Sequence, residues 1–134
     1  MSSSERFARR LFTVCGIYGL IALLPQYFME QRLGQDFPPA ITHPEHFYGF
    51  LGVALAWQIA FLIMAREPLR YRPLILPAVL EKLGFGLAAL TLFALQRAPA
   101  LVALGGAVDL LMAALFALAY WRLGSSNSAR TERT

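Results

Sequence analysis

The sequence is short of almost everything a soluble catalyst uses. It holds a single cysteine, Cys15, set inside an apolar run, so no internal disulfide can form and the redox compartment is left unconstrained. It has no Gly-rich phosphate loop, no Gly-x-Ser-x-Gly, no Cys-x-x-Cys and no paired-histidine zinc helix. Only 15% of its residues are charged, and the basic ones flank apolar runs instead of forming a stripe with interleaved aromatics. The net charge of +4 is therefore no nucleic-acid signal. No internal repeat or low-complexity domain is present.

What the chain has is apolar surface. Of its 134 residues, 57% are hydrophobic, more than a fold this small can hide from water. Four long apolar runs separated by short polar breaks give the reason: lipid takes up what a core cannot. The expectation is an all-α, single-domain polytopic membrane protein, an antiparallel four-helix transmembrane bundle in contact with the lipid bilayer.

The polar, basic lead MSSSERFARR precedes a first span over about residues 11–29. A cleaved signal peptide is disfavoured because the bulky PQYFMEQ follows the run where a small-x-small site would stand. Pro25 is expected to loosen the outer third of this helix. Residues 30–45 form the one sizeable loop, where Gly34, Pro38 and Pro39 preclude a continuous helix. Thr42-x-x-Glu45 reads as a capping box opening a second span over about 43–65, with Pro44 tolerated in its first turn. The basic turn REPLRYRP leads to a third span over about 74–96, and Pro99 suits the start of a fourth over about 100–123. The tail, about 124–134, is expected to be disordered.

Orientation follows from the arginines. With four spans, both termini share one side, which collects Arg6, Arg9, Arg10, Arg66, Arg70, Arg72, Arg122, Arg130 and Arg133; the other side has Arg32 and Arg97. The positive-inside bias then predicts cytoplasmic termini in a cell inner membrane, with the 30–45 loop outside. Tyr120 and Trp121 on one side, and Phe47 and Tyr48 on the other, suit interfacial belts.

Ionisable groups are costly in hydrocarbon, so those inside the spans are the candidate site residues. Counting from the basic ends puts Tyr18, Gln58, Glu81 and Lys82 roughly 12–15 Å deep, and Gln26 and Asp109 roughly 20–23 Å deep. Helical side chains lean toward their own N-terminus, so Lys82 and Asp109 on oppositely directed helices are expected to point apart. Adjacent residues stand about 100° apart, so Glu81 and Lys82 are not expected to face each other. Glu81 shares its face with Pro77, Gly84 and Ala88, Lys82 with Gly86 and Ala89, and Asp109 with Gly105, Gly106 and Ala113. Hydrogen bonds from Gln58 or Tyr18 would satisfy Glu81.

Outside the spans, His43-Pro44-Glu45-His46 carries two imidazoles and a carboxylate, ligands suited to zinc or copper. Glu45 is already used by the capping box, and Pro44 is expected to distort the spacing that would bring both imidazoles to one face. No metal and no other cofactor is therefore expected, His43 and His46 being the candidates if a metal is bound.

The layout of four short spans, one outer loop and the stretch FYGFLGVALAWQ…RYRPLILPAVLEKLGFG resembles small bacterial DoxX-like membrane proteins over most of 11–123. That resemblance implies a fold and little chemistry. A second likeness, to the EXPERA group of sterol isomerases and sigma-2-receptor-like proteins, rests on an acid ending the first span, as Glu30 does after Phe28-Met29. In that group acidic residues line a lipid-accessible pocket. This chain departs from it in the second span, which offers Gln58 but no carboxylate, against isomerase-type acid–base chemistry. Two functions follow as expectations. One is a non-catalytic accessory or assembly subunit, or a binder of a lipophilic small molecule, with a membrane-protein partner or a homo-oligomer implied. The other is a membrane enzyme or proton-coupled carrier using intramembrane carboxylates.

Overall fold

The computed structural model of the chain describes residues 1–131, with side chains described through Ser125. Among these residues there are five α-helices: α1 (Ser3–Leu23), α2 (Glu30–Asp36), α3 (Pro44–Arg66), α4 (Ile75–Ala94) and α5 (Ala100–Thr131). The fold is all-α. Four stretches are long and apolar enough to cross a membrane: Ser3–Phe28, Pro44–Arg66, Arg72–Ala94 and Ala100–Ser125. The chain is a multi-pass membrane protein with four candidate spans, which implies contact with a lipid bilayer.

Helix ends follow local chemistry. Pro25 lacks an N–H and turns the end of α1 into a 3-10 segment, Leu24–Phe28. Helix α2 lies in the stretch expected to be loop; Gly34 weakens a helix without breaking it, and the prolines stand beyond its end at Asp36. At α3 the capping position is His43, one residue later than the expected Thr42: the His43 carbonyl accepts from the N–H groups of His46 and Phe47, and Pro44 takes the first helical position. Glu45 turns to the His43 ring, 3.2 Å away, instead of closing a box on Thr42.

Helix α4 stops at a Schellman-type cap. Gln96 adopts a left-handed φ of 57°, while the N–H of Arg97 bonds the Leu92 carbonyl and that of Gln96 bonds the Phe93 carbonyl. The chain then reverses over residues 95–99, and the Pro99 carbonyl receives Val102 and Ala103 to open α5. Helix α5 continues to Thr131, past the expected end at Leu123; no proline interrupts Gly124–Thr131, and one glycine is not enough to stop it. The rest of the expected tail, 132–134, lies outside the described residues.

The chain divides into two compact units. In the first, Met1–Leu11 and everything from Met64 onward, α4 and α5 form the main pair. Ile75, Ala78, Lys82, Gly86 and Ala89 make the buried stripe of α4, and Ala103, Met112, Ala113, Phe116, Ala119 and Leu123 are buried on α5. The basic turn docks on α5: Arg72 donates from Nε to the Tyr120 carbonyl at 2.9 Å and lies 3.9 Å over the Tyr120 ring. Its guanidinium fills the space a side chain at Gly124 would need. Arg9 donates to the Arg66 carbonyl and thereby satisfies an end of α3.

The second unit is Phe12–Ile63. Phe12 and Phe61 are fully buried and pack at 6.2 Å between ring centroids. Gly16 and Gly19 let α1 and α3 approach: a Cβ at Gly16 would lie 2.8 Å from Leu62, and one at Gly19 would collide with the Gln58 side chain.

Candidate functional site

The site is built from the α4–α5 crossing. A Cβ on Gly86 would lie 2.9 Å from the Gly106 carbonyl, and one on Gly106 would lie 2.7 Å from Ala89, so the two backbones meet where neither carries a side chain. That contact sets the register of the antiparallel pair. One turn before it on α4 stands Lys82, and nearly one turn after it on α5 stands Asp109. They are level, and Lys82 Nζ donates to Asp109 Oδ1 at 3.4 Å.

This corrects two expectations at once. Lys82 and Asp109 do not point apart, because the glycine crossing aligns them and the four-carbon arm of lysine overrides the lean of its Cβ. Glu81 and Lys82 also meet, Oε2 to Nζ at 3.4 Å, because the same arm curls back across the roughly 100° between adjacent helical positions. The result is a three-residue cluster in which one ammonium is shared by two carboxylates.

The cluster is buried and incompletely satisfied. Lys82 is the chain's one lysine and its side chain is 7% exposed; Glu81 and Asp109 are 19% and 15% exposed. Both ion-pair distances exceed the 3 Å region, where a tight ammonium–carboxylate bond would be about 2.7–2.9 Å. Glu81 Oε2 is buried and, although the ammonium stands at ion-pair distance, it accepts no hydrogen bond from the described residues, a costly condition for a carboxylate oxygen. On the same face of α4, one turn on, Gly84 leaves open space: a Cβ there would meet nothing within 4 Å. The Glu81 Oε2 oxygen therefore has an ammonium at 3.4 Å but no hydrogen bond from the described residues, and it shares its helix face with the open surface at Gly84. With all three groups ionised the cluster carries one negative charge in excess.

The remaining sequence candidates fall elsewhere. Gln58, 2% exposed, donates one of its two amide N–H groups to the Ala54 carbonyl of its own helix at 2.9 Å. Gln26 does the same toward the Ala22 carbonyl. Tyr18 is 47% exposed. His43 and His46 are brought together after all: their rings stack at 5.3 Å with 24° between planes, since Pro44 starts the helix instead of distorting it.

One polar pairing escapes the sequence. Tyr48 donates to Glu30 Oε2 at 2.8 Å, and Tyr27 packs on the Tyr48 ring at 5.8 Å. By sequence Tyr48 suits a surface belt, and the signal for the pair is weak because α2, which carries Glu30, occupies a stretch that reads as loop. No protein-family model matches the chain, and neither a curated protein nor a solved structure does, so no family is identified for it.

Proposed function

We propose that this is a non-catalytic membrane protein whose α4–α5 cluster binds a lipophilic small molecule through a cationic or hydrogen-bond-donating head. The observation that carries this is the buried Oε2 of Glu81, which accepts no hydrogen bond from the described residues, next to a lysine already shared with Asp109. An uncompensated charge is costly in a low-dielectric interior, so the cluster favours one further positive charge or donor. An amine or hydroxyl head would supply it. The apolar remainder of such a molecule would lie in the bilayer beside Gly84. The arginine distribution supports placing both termini on the cytoplasmic side of the membrane.

The test is native mass spectrometry of the protein released from its own membrane in mild detergent. The wild type should carry a small lipophilic adduct, and Glu81→Gln should bind it about tenfold to a hundredfold less tightly, the worth of one charged hydrogen bond. Expression and helix content should be unchanged, because the amide keeps the volume. Wild-type protein without an adduct, or a Glu81→Gln protein that retains it fully, would overturn the reading. A stoichiometric second polypeptide in place of the adduct would replace it with an assembly subunit.

A further inference from the structure

We infer that His43, Glu45 and His46 form a binding site for a divalent first-row transition metal, copper(II) or zinc(II), at the start of α3. The site is separate from the α4–α5 cluster and does not depend on its function. One donor atom from each of the three residues lies within 4.8 Å of the other two. His43 Nδ1 and Glu45 Oε1 are already 3.2 Å apart, close to the spacing of about 3.3 Å between two ligands of a tetrahedral zinc. All three side chains are exposed, so rotamer changes can draw the third donor in without disturbing packing.

The backbone helps. Capping fixes His43, proline fixes the first helical position, and the i,i+3 spacing of His43 and His46 places both rings over one turn. Two imidazoles and one carboxylate select zinc, copper or nickel over magnesium or calcium, which take oxygen ligands. Three protein ligands leave at least one position for water or for a ligand from elsewhere. The positive end of the α3 dipole opposes a cation here, and the Glu45 carboxylate in the first turn offsets it.

The experiment uses the untagged full-length protein in detergent, titrated with copper(II) or zinc(II) alone. Calorimetry should show one equivalent bound, and the copper spectrum in electron paramagnetic resonance should carry nitrogen hyperfine structure. His46→Ala and His43→Asn should each weaken binding by more than about tenfold and reduce that structure from a two-nitrogen to a one-nitrogen pattern; Asn is chosen because it still caps a helix. Glu45→Gln should weaken binding while leaving the nitrogen signal. Circular dichroism establishes that each variant is folded. Wild-type protein that binds no metal, or folded histidine variants that bind as the wild type does, would overturn the site.

Discussion

Two helix pairs in this molecule use the same device and reach opposite chemical ends. In the pair α1–α3, Gly16 and Gly19 admit Leu62 and Gln58. In the pair α4–α5, Gly86 and Gly106 admit each other's backbone. The polar group at the first contact is neutral, and its amide donates to its own helix at Ala54. The polar groups at the second are ionisable, span two helices and leave a carboxylate oxygen that accepts no hydrogen bond from the described residues. Glycine-mediated approach therefore does not by itself explain buried polarity. Gln58 fits a packing role, whereas the Glu81–Lys82–Asp109 cluster maintains a costly arrangement that packing did not require.

The change that breaks this contrast hardest is Lys82→Met. It keeps the volume and removes the one cation holding two carboxylates. Stripping one partner from a buried ionic group costs about 3–5 kcal/mol, because the remaining charge is left uncompensated. Unfolding in mixed micelles, followed by circular dichroism, should show that loss. The double change Lys82→Met with Asp109→Asn should recover part of it. A Lys82→Met protein as stable as the wild type would mean that the carboxylates are already neutralised some other way.

Next in size are the glycines. Gly106→Ala puts a methyl 2.7 Å from Ala89 and 3.1 Å from the Gly86 carbonyl, and backbone cannot step aside. Overpacking of this kind costs about 1–3 kcal/mol. It should also lengthen the Lys82–Asp109 contact, so guest binding should fall along with stability. Gly19→Ala has to expel the Gln58 amide and should cost a similar amount in stability while leaving guest binding intact. Equal effects of the two on binding would erase the proposed division of labour between the pairs.

The sequence is legible for some of these features and silent on others. The four spans stand out because a bilayer requires apolar runs of about this length, and arginine clusters mark where each run ends. Glu81, Lys82 and Asp109 stand out because ionisable groups in such runs are rare. Their pairing is not legible, for a physical reason: depth counted from unanchored helix ends carries an error larger than one turn, about 5.4 Å. Register is instead set at the Gly86–Gly106 contact, which no single-helix periodicity contains. The lean of Cβ is a rule for short side chains, and lysine is long enough to ignore it. The stacking of His43 on His46 is hidden by Pro44, which reads as a distortion although it occupies the one helical position where proline fits.

A smaller effect is expected from Gln58→Leu. Its Ala54 acceptor already serves the backbone of α3, so no carbonyl is orphaned, and an apolar replacement of similar size removes one modest hydrogen bond. The loss should be about 0.5–1.5 kcal/mol, with no change in guest binding. A loss as large as that of Lys82→Met would make the α1–α3 pair polar-dependent too, and the contrast between the pairs would fail.

The smallest expected change is the most selective. Gly84 lies in the interior of α4, on the face of Glu81, with open space at its Cβ position. Alanine there removes a glycine from a helix interior, which should stabilise the protein by about 0.5–1 kcal/mol. If the guest lies against this open face, the same methyl occupies part of its seat, so adduct retention should fall while stability rises. Those opposite signs separate a binding surface from a packing surface, since a methyl that only improved packing would raise stability and leave the adduct untouched. Retention equal to the wild type would keep Glu81 as a candidate but move the guest off this face of α4.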